Sequence, residues 1–498
     1  MMRQTRREFL SMAAKGAGMS VLGGAGPLRH IARGAAAKKR RPNVLFIAVD
    51  DLRTQLGCYG QEQMISPNID RLAGRGIVFE RAYCQEAICA ASRCSLLAGV
   101  RPDTTRIYGL QTPLRKGMPD VLSLPQHFKQ NGYTTISLGK IYHHRSDDLV
   151  GWSKKPFRER GKWRGRGYLD GESIRRMREA DAKKTPKQRK GIGPAFEGPD
   201  VKDGDYPDGV NTEYALAEMR RLAGKPFFLA VGYYKPHLPF NAPKKYWDMY
   251  PPGKIELPGN PLAPKGAPRF ALTNWGELRQ YLGIPKRGKC DDDLARKLIR
   301  AYYACVTYVD TLIGRLLDEL NRLKLTDNTV VVLWGDHGWK LGEYGCWSKH
   351  TNFEYDTHVP MIFAGPGVKG GTRTKALSEF VDIYPTLAEL CGLRVPEHLE
   401  GTSLVGVFRD PARAWKTAAF SQYPRGRIMG YSMRTDRYRY TRWQQRAGGK
   451  VVAVELYDHK KDPGENVNVA KDAAYAAAVK ELDAQLTAGW KAARPPAS

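Results

Sequence analysis

The chain has 498 residues, 42 % of them hydrophobic and 26 % charged, which is ordinary globular usage and enough for a large domain with a smaller one beside it. Lys and Arg number 80 against 51 Asp and Glu, so the net charge of +29 should attract polyanions, either nucleic acid or sulfated polysaccharide. No helix-turn-helix, zinc-finger or RNA-binding pattern occurs, which argues against nucleic acid, and no internal run of roughly 18 apolar residues predicts a membrane span.

The N-terminal segment predicts export. Residues 5–10 read Thr-Arg-Arg-Glu-Phe-Leu, a twin-arginine pattern, and an Ala/Gly-rich segment follows at 11–26. Three alanines at 35–37 offer a small-residue cleavage region. We therefore expect residues 1–37 to be a signal peptide that the twin-arginine machinery uses to carry the protein to the periplasm or beyond. A basic tail without a targeting role is the alternative.

The first strand carries two acids at its end. Residues 42–49 are continuously apolar, which is typical of a central strand of a parallel sheet, and Asp50 and Asp51 follow directly. Ligands of α/β folds bind at this end of the strands. Adjacent carboxylates repel each other, and a divalent cation with a preference for oxygen, Ca²⁺ or Mg²⁺, would relieve that repulsion. The other interpretation is an N-cap of the next helix.

A cysteine begins the next helical segment. A short strand at 76–83 leads to Cys89, and residues 93–97 have helical character. A nucleophile at a helix N-terminus gains from the helix dipole and from free N–H groups, which favour an anionic substrate. The alternative is a small buried thiol that only fills space.

Two further strands end in basic side chains. Lys140 and His143 follow the strand at 133–138, and His237 follows the strand at 226–233, between Pro236 and Pro239. Prolines fix the backbone beside this histidine and keep it out of regular structure. One interpretation is that all three side chains point into a cleft. The other is that Lys140 and His143 are solvated and that His237 is packed within its loop.

The middle of the chain contains a basic insert. Residues 145–190 hold 16 basic and 7 acidic residues, which predicts a surface insert that is either a solvated face or a guide for a polyanionic substrate. Residues 250–290 are rich in Pro and Gly and predict an irregular loop, whereas residues 294–323 have the apolar spacing of a core helix.

A second strand ends in metal-type ligands. The apolar run 329–334 is followed by Asp336 and His337, and Lys349 could return to the same cleft. Together with Asp50 and Asp51 they could form one cation site. Beyond the main domain, predicted at 38–414, alternating residues at 428–458 predict a hairpin-rich section, and 473–488 predict a helix. We interpret residues 415–498 as a small C-terminal α+β subdomain.

Several motifs resemble one enzyme family. Cys-Ala-Ala-Ser-Arg, which begins at Cys89, resembles the Cys-x-Pro-Ser-Arg activation signature of type I sulfatases, with Ala91 in place of Pro. Gly-Lys-Ile-Tyr-His at 139–143, Lys-Pro-His at 235–237 and Asp-His-Gly-Trp at 336–339 are similar to motifs of the iduronate-2-sulfatase branch. With a match from about residue 43 to 468, the chain resembles a type I sulfatase of the alkaline-phosphatase-like superfamily.

The resemblance implies an α/β fold with a large, mostly parallel sheet flanked by helices and a smaller subdomain of antiparallel strands plus a helix. It implies that a maturation enzyme oxidises Cys89 to formylglycine, an aldehyde whose hydrate attacks sulfate esters. The implied metal ligands are Asp50, Asp51, Asp336, His337 and the modified Cys89, and the implied catalytic residues are Arg93, Lys140, His143, His237 and Lys349, of which Lys140, His237 and Lys349 also bind the substrate. Ca²⁺ is the expected ion, with Mg²⁺ or another divalent cation left open because histidine is a softer ligand than Ca²⁺ usually takes.

The implied activity is hydrolysis of a sulfate ester on a sulfated saccharide, with an exo action on 2-sulfated iduronate as the first hypothesis. A different sulfated polysaccharide or a small sulfate ester is the alternative substrate. A phosphatase or phosphodiesterase of the same superfamily is disfavoured by Cys89, because those enzymes normally place Ser or Thr there. A catalytically silent protein that binds sulfated glycans is the remaining alternative, if Ala91 prevents maturation.

Overall fold

The longest apolar runs of the sequence are neighbouring strands of one buried sheet. The computed structural model describes residues 41–143 and 146–495, so the predicted signal peptide lies outside the described residues. The strands are β1 Asn43–Val49, β2 Gly76–Phe79, β3 Ala82–Tyr83, β4 Thr134–Gly139, β5 Phe196–Glu197, β6 Phe227–Tyr233, β7 Phe240–Asn241, β8 Thr329–Gly335, β9 His358–Val359, β10 Met361–Ala364, β11 Thr372–Thr374, β12 Ser378–Glu379, β13 Ala419–Arg425, β14 Ile428–Arg434, β15 Tyr438–Gln445 and β16 Val451–Asp458.

The helices lie between these strands. They are α1 Pro67–Gly74, α2 Cys89–Ala98, α3 Pro102–Thr105, α4 Leu114–Gly117, α5 Leu124–Gln130, α6 Gly171–Ala182, α7 Pro207–Leu222, α8 Lys244–Asp248, α9 Asp292–Arg322, α10 Glu354–Thr357, α11 Ile383–Leu390, α12 Val405–Arg409 and α13 Ala476–Ala492. The long helix α9 begins after Asp291, whose side chain accepts a hydrogen bond from the Leu294 amide. None of the helices in the described part of the chain combines the length and apolar character needed to cross a membrane.

The main sheet has the strand order β11-β2-β10-β8-β1-β6-β4. β1 runs parallel to both β6 and β8, and β4 runs parallel to β6, whereas β10 is antiparallel to its neighbours. Successive residues of β1 alternate between two cores: Leu45 and Ile47 pack with α7 and α9, and Val44 and Phe46 pack with α2, α5 and α11. Because both faces are covered, β1 has to be apolar along its whole length, as its sequence predicted.

A second, antiparallel sheet follows in the C-terminal part of the chain. β13, β14, β15 and β16 form it in sequence order, and the predicted hairpin corresponds to β14 and β15. Met433, Tyr440 and Leu456 of this sheet pack against Leu482 and Leu486 of α13. The predicted α/β class, with a smaller antiparallel subdomain and a helix, is confirmed, while the boundary at residues 414–415 stays a prediction.

Candidate active site

The two strand ends with metal-type ligands lie side by side. β1 and β8 are paired in parallel with Val49 opposite Gly335, so Asp50 and Asp336 leave the same edge of the sheet. Asp51 adopts a left-handed φ of 59°, in which its amide donates to Asp336 Oδ1 at 3.0 Å. The His337 amide donates to the same Oδ1 at 3.0 Å. The Asp336 carboxylate therefore fixes both turns.

Cys89 faces these ligands from the first residue of α2. Its Sγ lies 3.2 Å from His337 Nε2 and 3.6 Å from Lys140 Nζ, and every residue of the helix is buried. Burial raises the pKa of the Cys89 thiol well above its ordinary value, and the Asp50 carboxylate adds to this effect.

Three cations surround the acids. Arg93, one helical turn after Cys89, donates from Nε to Asp336 Oδ2 at 2.8 Å and from Nη2 to Asp50 Oδ1 at 3.2 Å. Lys140 Nζ donates to Asp50 Oδ2. Lys349 Nζ lies 3.0 Å from both carboxylate oxygens of Asp51.

The two adjacent aspartates are not equivalent. Burial alone would raise the pKa of Asp50, but Lys140, His237 and Arg93 hold it well below its ordinary value. Burial raises the pKa of Asp51 to about 7, and the nearby Asp50 carboxylate contributes to the rise, against the Lys349 ammonium. The protein's own cations therefore leave one carboxylate of the pair without full compensation.

The donor set fits a divalent cation. Ligand atoms of Asp50, Asp51, Cys89 and His337 all lie within 4.8 Å of one another and are buried. The Asp336 carboxylate stands just beside this group, with Oδ2 held by Arg93 and 3.6 Å from His337 Nε2. Buried carboxylate oxygens are the ligands that Ca²⁺ and Mg²⁺ prefer, and a cation would stabilise the charged form of Asp51.

Hydrogen bonds fix the loop after β6 that carries His237. The Asp208 carboxylate accepts hydrogen bonds from the amides of Tyr234 and Lys235, both at 2.8 Å. His237 Nδ1 lies 2.7 Å from the Leu238 carbonyl oxygen, an acceptor, so Nδ1 carries a proton. Burial and the Lys349 ammonium lower the pKa of His237. Once protonated at Nε2 as well, this ring gives up that proton readily.

Glu277 is a site residue that the sequence analysis missed. Its Oε1 lies 3.0 Å from His237 Nε2, and its Oε2 lies 2.8 Å from Lys349 Nζ. Burial raises the pKa of Glu277, but Lys349 and His237 outweigh it and hold the pKa well below its ordinary value. Glu277 comes from the loop 250–290, where it is one of two acids among Pro, Gly and basic residues and gives no local signal.

A cavity of about 610 Å³ gives access to this group of side chains. Six of the residues singled out from the sequence line it, namely Asp50, Cys89, Lys140, His143, His237 and Lys349. The remaining four, Asp51, Arg93, Asp336 and His337, are fully buried around them. The structure thus brings all ten together at one edge of the sheet, and their individual roles stay predictions.

Comparison with known proteins identifies the family. The sulfatase family model matches residues 42–393, and a model for the C-terminal region of N-sulphoglucosamine sulphohydrolase matches residues 342–491. The chain belongs to the sulfatase family. The sulfatase is similar to human iduronate 2-sulfatase, with 36 % identity over an alignment of 513 positions, gaps included. The alignment covers 86 % of this chain and 91 % of the human protein.

Solved structures agree on the fold. A structure described as a complex with its substrate D-glucosamine-2-N,6-O-disulfate has a TM-score of 0.71 at 24 % identity, covering 91 % of this chain and 98 % of the other. A structure described as a 2-O GAG sulfatase has a TM-score of 0.64 at 26 % identity, covering 90 % and 91 %. The predicted sulfatase relationship, its iduronate-2-sulfatase branch and its alkaline-phosphatase-like fold are confirmed, and the protein is a sulfuric ester hydrolase.

Proposed function

We propose that this sulfatase removes the 2-sulfate from a terminal iduronate of a glycosaminoglycan-like saccharide, and that Cys89 acts as formylglycine. The observation that carries the proposal is the position of Cys89, between buried metal-type ligands and three cations at the inner end of a cavity. The 36 % identity to human iduronate 2-sulfatase supports the choice of substrate.

Two groups that the chain would acquire supply part of the chemistry. A divalent cation, Ca²⁺ by ligand preference, would be held by Asp50, Asp51, Asp336, His337 and residue 89, and would supply positive charge that polarises the sulfate. Formylglycine would supply a hydrated aldehyde with one hydroxyl to attack sulfur and a second to expel sulfate.

The cationic side chains of the site would stabilise the negative charge that develops on oxygen during the reaction. Lys140 and Arg93 are already fixed by Asp50 and Asp336 before a substrate binds, so they cost little reorganisation when they stabilise an oxyanion at residue 89. Lys349 Nζ lines the cavity and would bind a sulfate oxygen. Fixed charges in a buried site act more strongly than the same charges in water.

His237 would protonate the leaving alcohol. Its Nδ1 proton is donated to the Leu238 carbonyl, so the exchangeable proton sits on Nε2, which faces the cavity beside Lys349 and Glu277. A group with a lowered pKa is a stronger acid, and this suits proton transfer to an alkoxide. His143, which lines the same cavity, would accept the hydroxyl proton that must leave before sulfate is released.

The test combines mass spectrometry with defined substrates. The protein is produced with a formylglycine-generating enzyme, and the peptide that contains Cys89 is examined for conversion to the aldehyde. Desulfation is then measured on disaccharides with a 2-sulfated iduronate at the non-reducing end, on the same unit placed internally, and on a small aryl sulfate. An unconverted thiol, or turnover of the aryl sulfate alone, would refute the proposal.

Ala91 provides a matched variant for the maturation step. If Ala91 slows recognition by the maturation enzyme, Ala91→Pro increases the fraction of formylglycine and raises activity in proportion. If both proteins are fully converted, Ala91 is neutral and the specific activities agree.

We also propose that the twin-arginine pattern directs export of the protein to the periplasm or the medium. Replacing Arg6 and Arg7 by Lys keeps the charge of the segment and should retain the protein in the cytoplasm. Cell fractionation with an activity assay measures the distribution, and unchanged export of the double variant would contradict the assignment.

A further inference from the structure

The basic insert forms one wall of the active-site cavity. Five of its side chains line the cavity, namely Arg158, Glu159, Trp163, Arg166 and Arg189. The cavity volume of about 610 Å³ lies within the range of roughly 300–1,000 Å³ that is usual for small-molecule sites. It therefore has room for more of the substrate than the sulfate group.

The three arginines of this wall differ in the partners they already have. Arg158 is engaged, because Nη2 pairs with Asp147 and Nη1 donates to the Gly139 carbonyl. Arg166 is half-buried and donates only to a neutral group, the Tyr281 hydroxyl, at 2.9 Å. Arg189 makes no hydrogen bond or ion pair with any residue of 41–143 or 146–495. Within the described part of the chain, neither Arg166 nor Arg189 is in ion-pair contact with a carboxylate, although the Glu277 carboxylate acts on Arg166 from further away and helps to raise its pKa.

The backbone of the insert holds these two arginines near each other. Arg164 and Tyr168 exchange backbone hydrogen bonds of 2.8 and 2.9 Å around the turn that presents Arg166. Gly165, at a φ of +56°, lies so close to Gly191 that a Cβ on it would stand 2.7 Å from the Gly191 oxygen. This contact joins the segment of Arg166 to that of Arg189.

Side chains behind the turn keep it in place. The Tyr168 hydroxyl donates to the Pro194 carbonyl at 2.7 Å and accepts from the Gly193 amide at 3.0 Å. The Asp181 carboxylate accepts from the Gly191 amide at 2.7 Å, and the Asn241 side chain donates to the Gly167 carbonyl at 2.9 Å. The wall is therefore built before a ligand binds, which lowers the entropic cost of binding.

We propose that Arg166 and Arg189 form a second anion subsite, which binds another negative group of the saccharide while its scissile sulfate lies at Cys89. The ligand chemistry is a carboxylate or sulfate oxygen pair, which a guanidinium fork binds with two parallel hydrogen bonds. Trp163, half-buried in the same wall, offers an aromatic face to the sugar between the two anions. The proposal rests on the proposed function and assigns the residues that bind a second negative group of its substrate.

The experiment compares two arginine variants with a matched control. Arg166→Ala and Arg189→Ala each remove one positive charge from the cavity wall. Arg178→Ala removes the same charge from α6 of the same insert, where the side chain is exposed and lies outside the cavity. A loss shared by all three would indicate long-range attraction rather than contact.

The readout is the ratio of kcat/KM for the sulfated disaccharide to kcat/KM for an aryl sulfate that carries no negative group besides its scissile sulfate. We expect Arg166→Ala to lower this ratio roughly tenfold to a hundredfold, as for a lost hydrogen bond to a charged group. Because the Arg189 side chain is more exposed, Arg189→Ala should lower the ratio less than Arg166→Ala does. Arg166→Lys, which keeps the positive charge, should retain part of the wild-type ratio. Arg178→Ala should leave the ratio within about twofold of the wild type.

Modified substrates identify the anion that the subsite binds. If the subsite binds the uronate carboxylate, reducing that carboxylate to an alcohol removes the difference in kcat/KM between wild type and Arg166→Ala. If it binds a sulfate on the adjacent sugar, a substrate that lacks this sulfate removes the same difference. The proposal is overturned if Arg166→Ala affects all substrates equally or if neither change removes the difference. Failure of the proposed function has a separate sign, which is that the wild type does not desulfate the disaccharide with a terminal 2-sulfated iduronate.

Discussion

Two groups of acids and histidine in the described part of the chain have the donor types of a metal site, and they differ in how their charge is compensated. One is the group around Asp50, Asp51 and His337; the other is Glu354, His459 and Glu465. In the second group Arg439 donates to both glutamates, and Nε of Arg439 lies 2.6 Å from Glu465 Oε1.

The pKa shifts express this difference. Burial raises the pKa values of Glu354 and Glu465, but Arg439 outweighs it and both end below their ordinary value, with Arg434 also acting on Glu354. Asp51 in the active site instead rises to about 7. Donor types alone therefore do not identify a metal site; the deciding quantity is the negative charge left after the protein's own cations have been counted.

The second group connects the main sheet region with the C-terminal sheet. Glu354 begins α10 in the main body, whereas Arg434 and Arg439 belong to β14 and β15 of the C-terminal sheet. Tyr83 of β3 also donates to Glu354, at 3.0 Å. We refer to Glu354, Arg439 and Glu465 as the joint cluster.

The largest expected effect separates the two groups by metal dependence. Asp51→Asn should lower kcat/KM by roughly 10³-fold, as for loss of a preorganised charge, and should abolish the rise in Tm that Ca²⁺ gives to the chelator-treated protein. Glu465→Gln should keep that calcium response. Calorimetry with and without Ca²⁺ measures it, and a response lost in Glu465→Gln but kept in Asp51→Asn would reverse the assignment.

The next effect concerns stability. Glu465→Gln should lower the free energy of unfolding by about 3–5 kcal/mol, because Arg439 would be left buried with one charge partner fewer. Glu397→Gln breaks the exposed pair with Arg394 and should cost less than about 1 kcal/mol. Denaturant unfolding measures both variants, and equal losses would argue against a structural role for the joint cluster.

A smaller effect is expected from Glu277→Gln. The Glu277 carboxylate raises the pKa of His237, so its loss lowers that pKa further and moves the alkaline limb of the kcat/KM profile to lower pH. We expect about a tenfold lower rate at the original optimum. A pH–rate profile checks this, with Glu397→Gln as the control; an unshifted limb would mean that Glu277 acts only on Lys349.

The smallest effect is the acid sensitivity of the joint cluster. The folded pKa of Glu354 lies below the ordinary 4.5, so its stabilisation is fully present above that value and decreases as the pH falls towards the folded pKa. Glu465 has a lowered pKa as well, so Glu465→Gln should lose less stability than the wild type between neutral and acidic pH. Urea midpoints across this range at saturating Ca²⁺ provide the measurement, and parallel curves for the two proteins would contradict the expectation.

Much of the fold could be predicted because its signals are local. A strand covered on both faces must be apolar throughout, so β1, β6 and β8 appear as continuous runs, and α9 shows its spacing over 31 residues. The acids after β1 and β8 were found for the same reason, since the carboxyl ends of parallel strands meet at one edge.

The remainder depended on contacts between segments far apart in the chain. Glu277 has no periodic or motif context, and only the path of its loop brings it to His237 and Lys349. In the sequence Arg166 and Arg189 are two of many basic residues. Only the structure shows that the contact of Gly165 with Gly191 brings them to one wall of the cavity.

The sequence by itself predicted the buried strands, the helix that begins at Cys89 and the ten residues at the strand ends and loops, from apolar periodicity, short motifs and the family resemblance. Only the tertiary structure decided how the charge of each acid is compensated. Glu465 meets the guanidinium of Arg439 in the C-terminal sheet, whereas Asp51 combines the Lys349 ammonium, 298 positions later in the chain, with the neighbouring Asp50 carboxylate. The packing of separate elements sets these distances of a few ångströms, over which buried charges interact strongly.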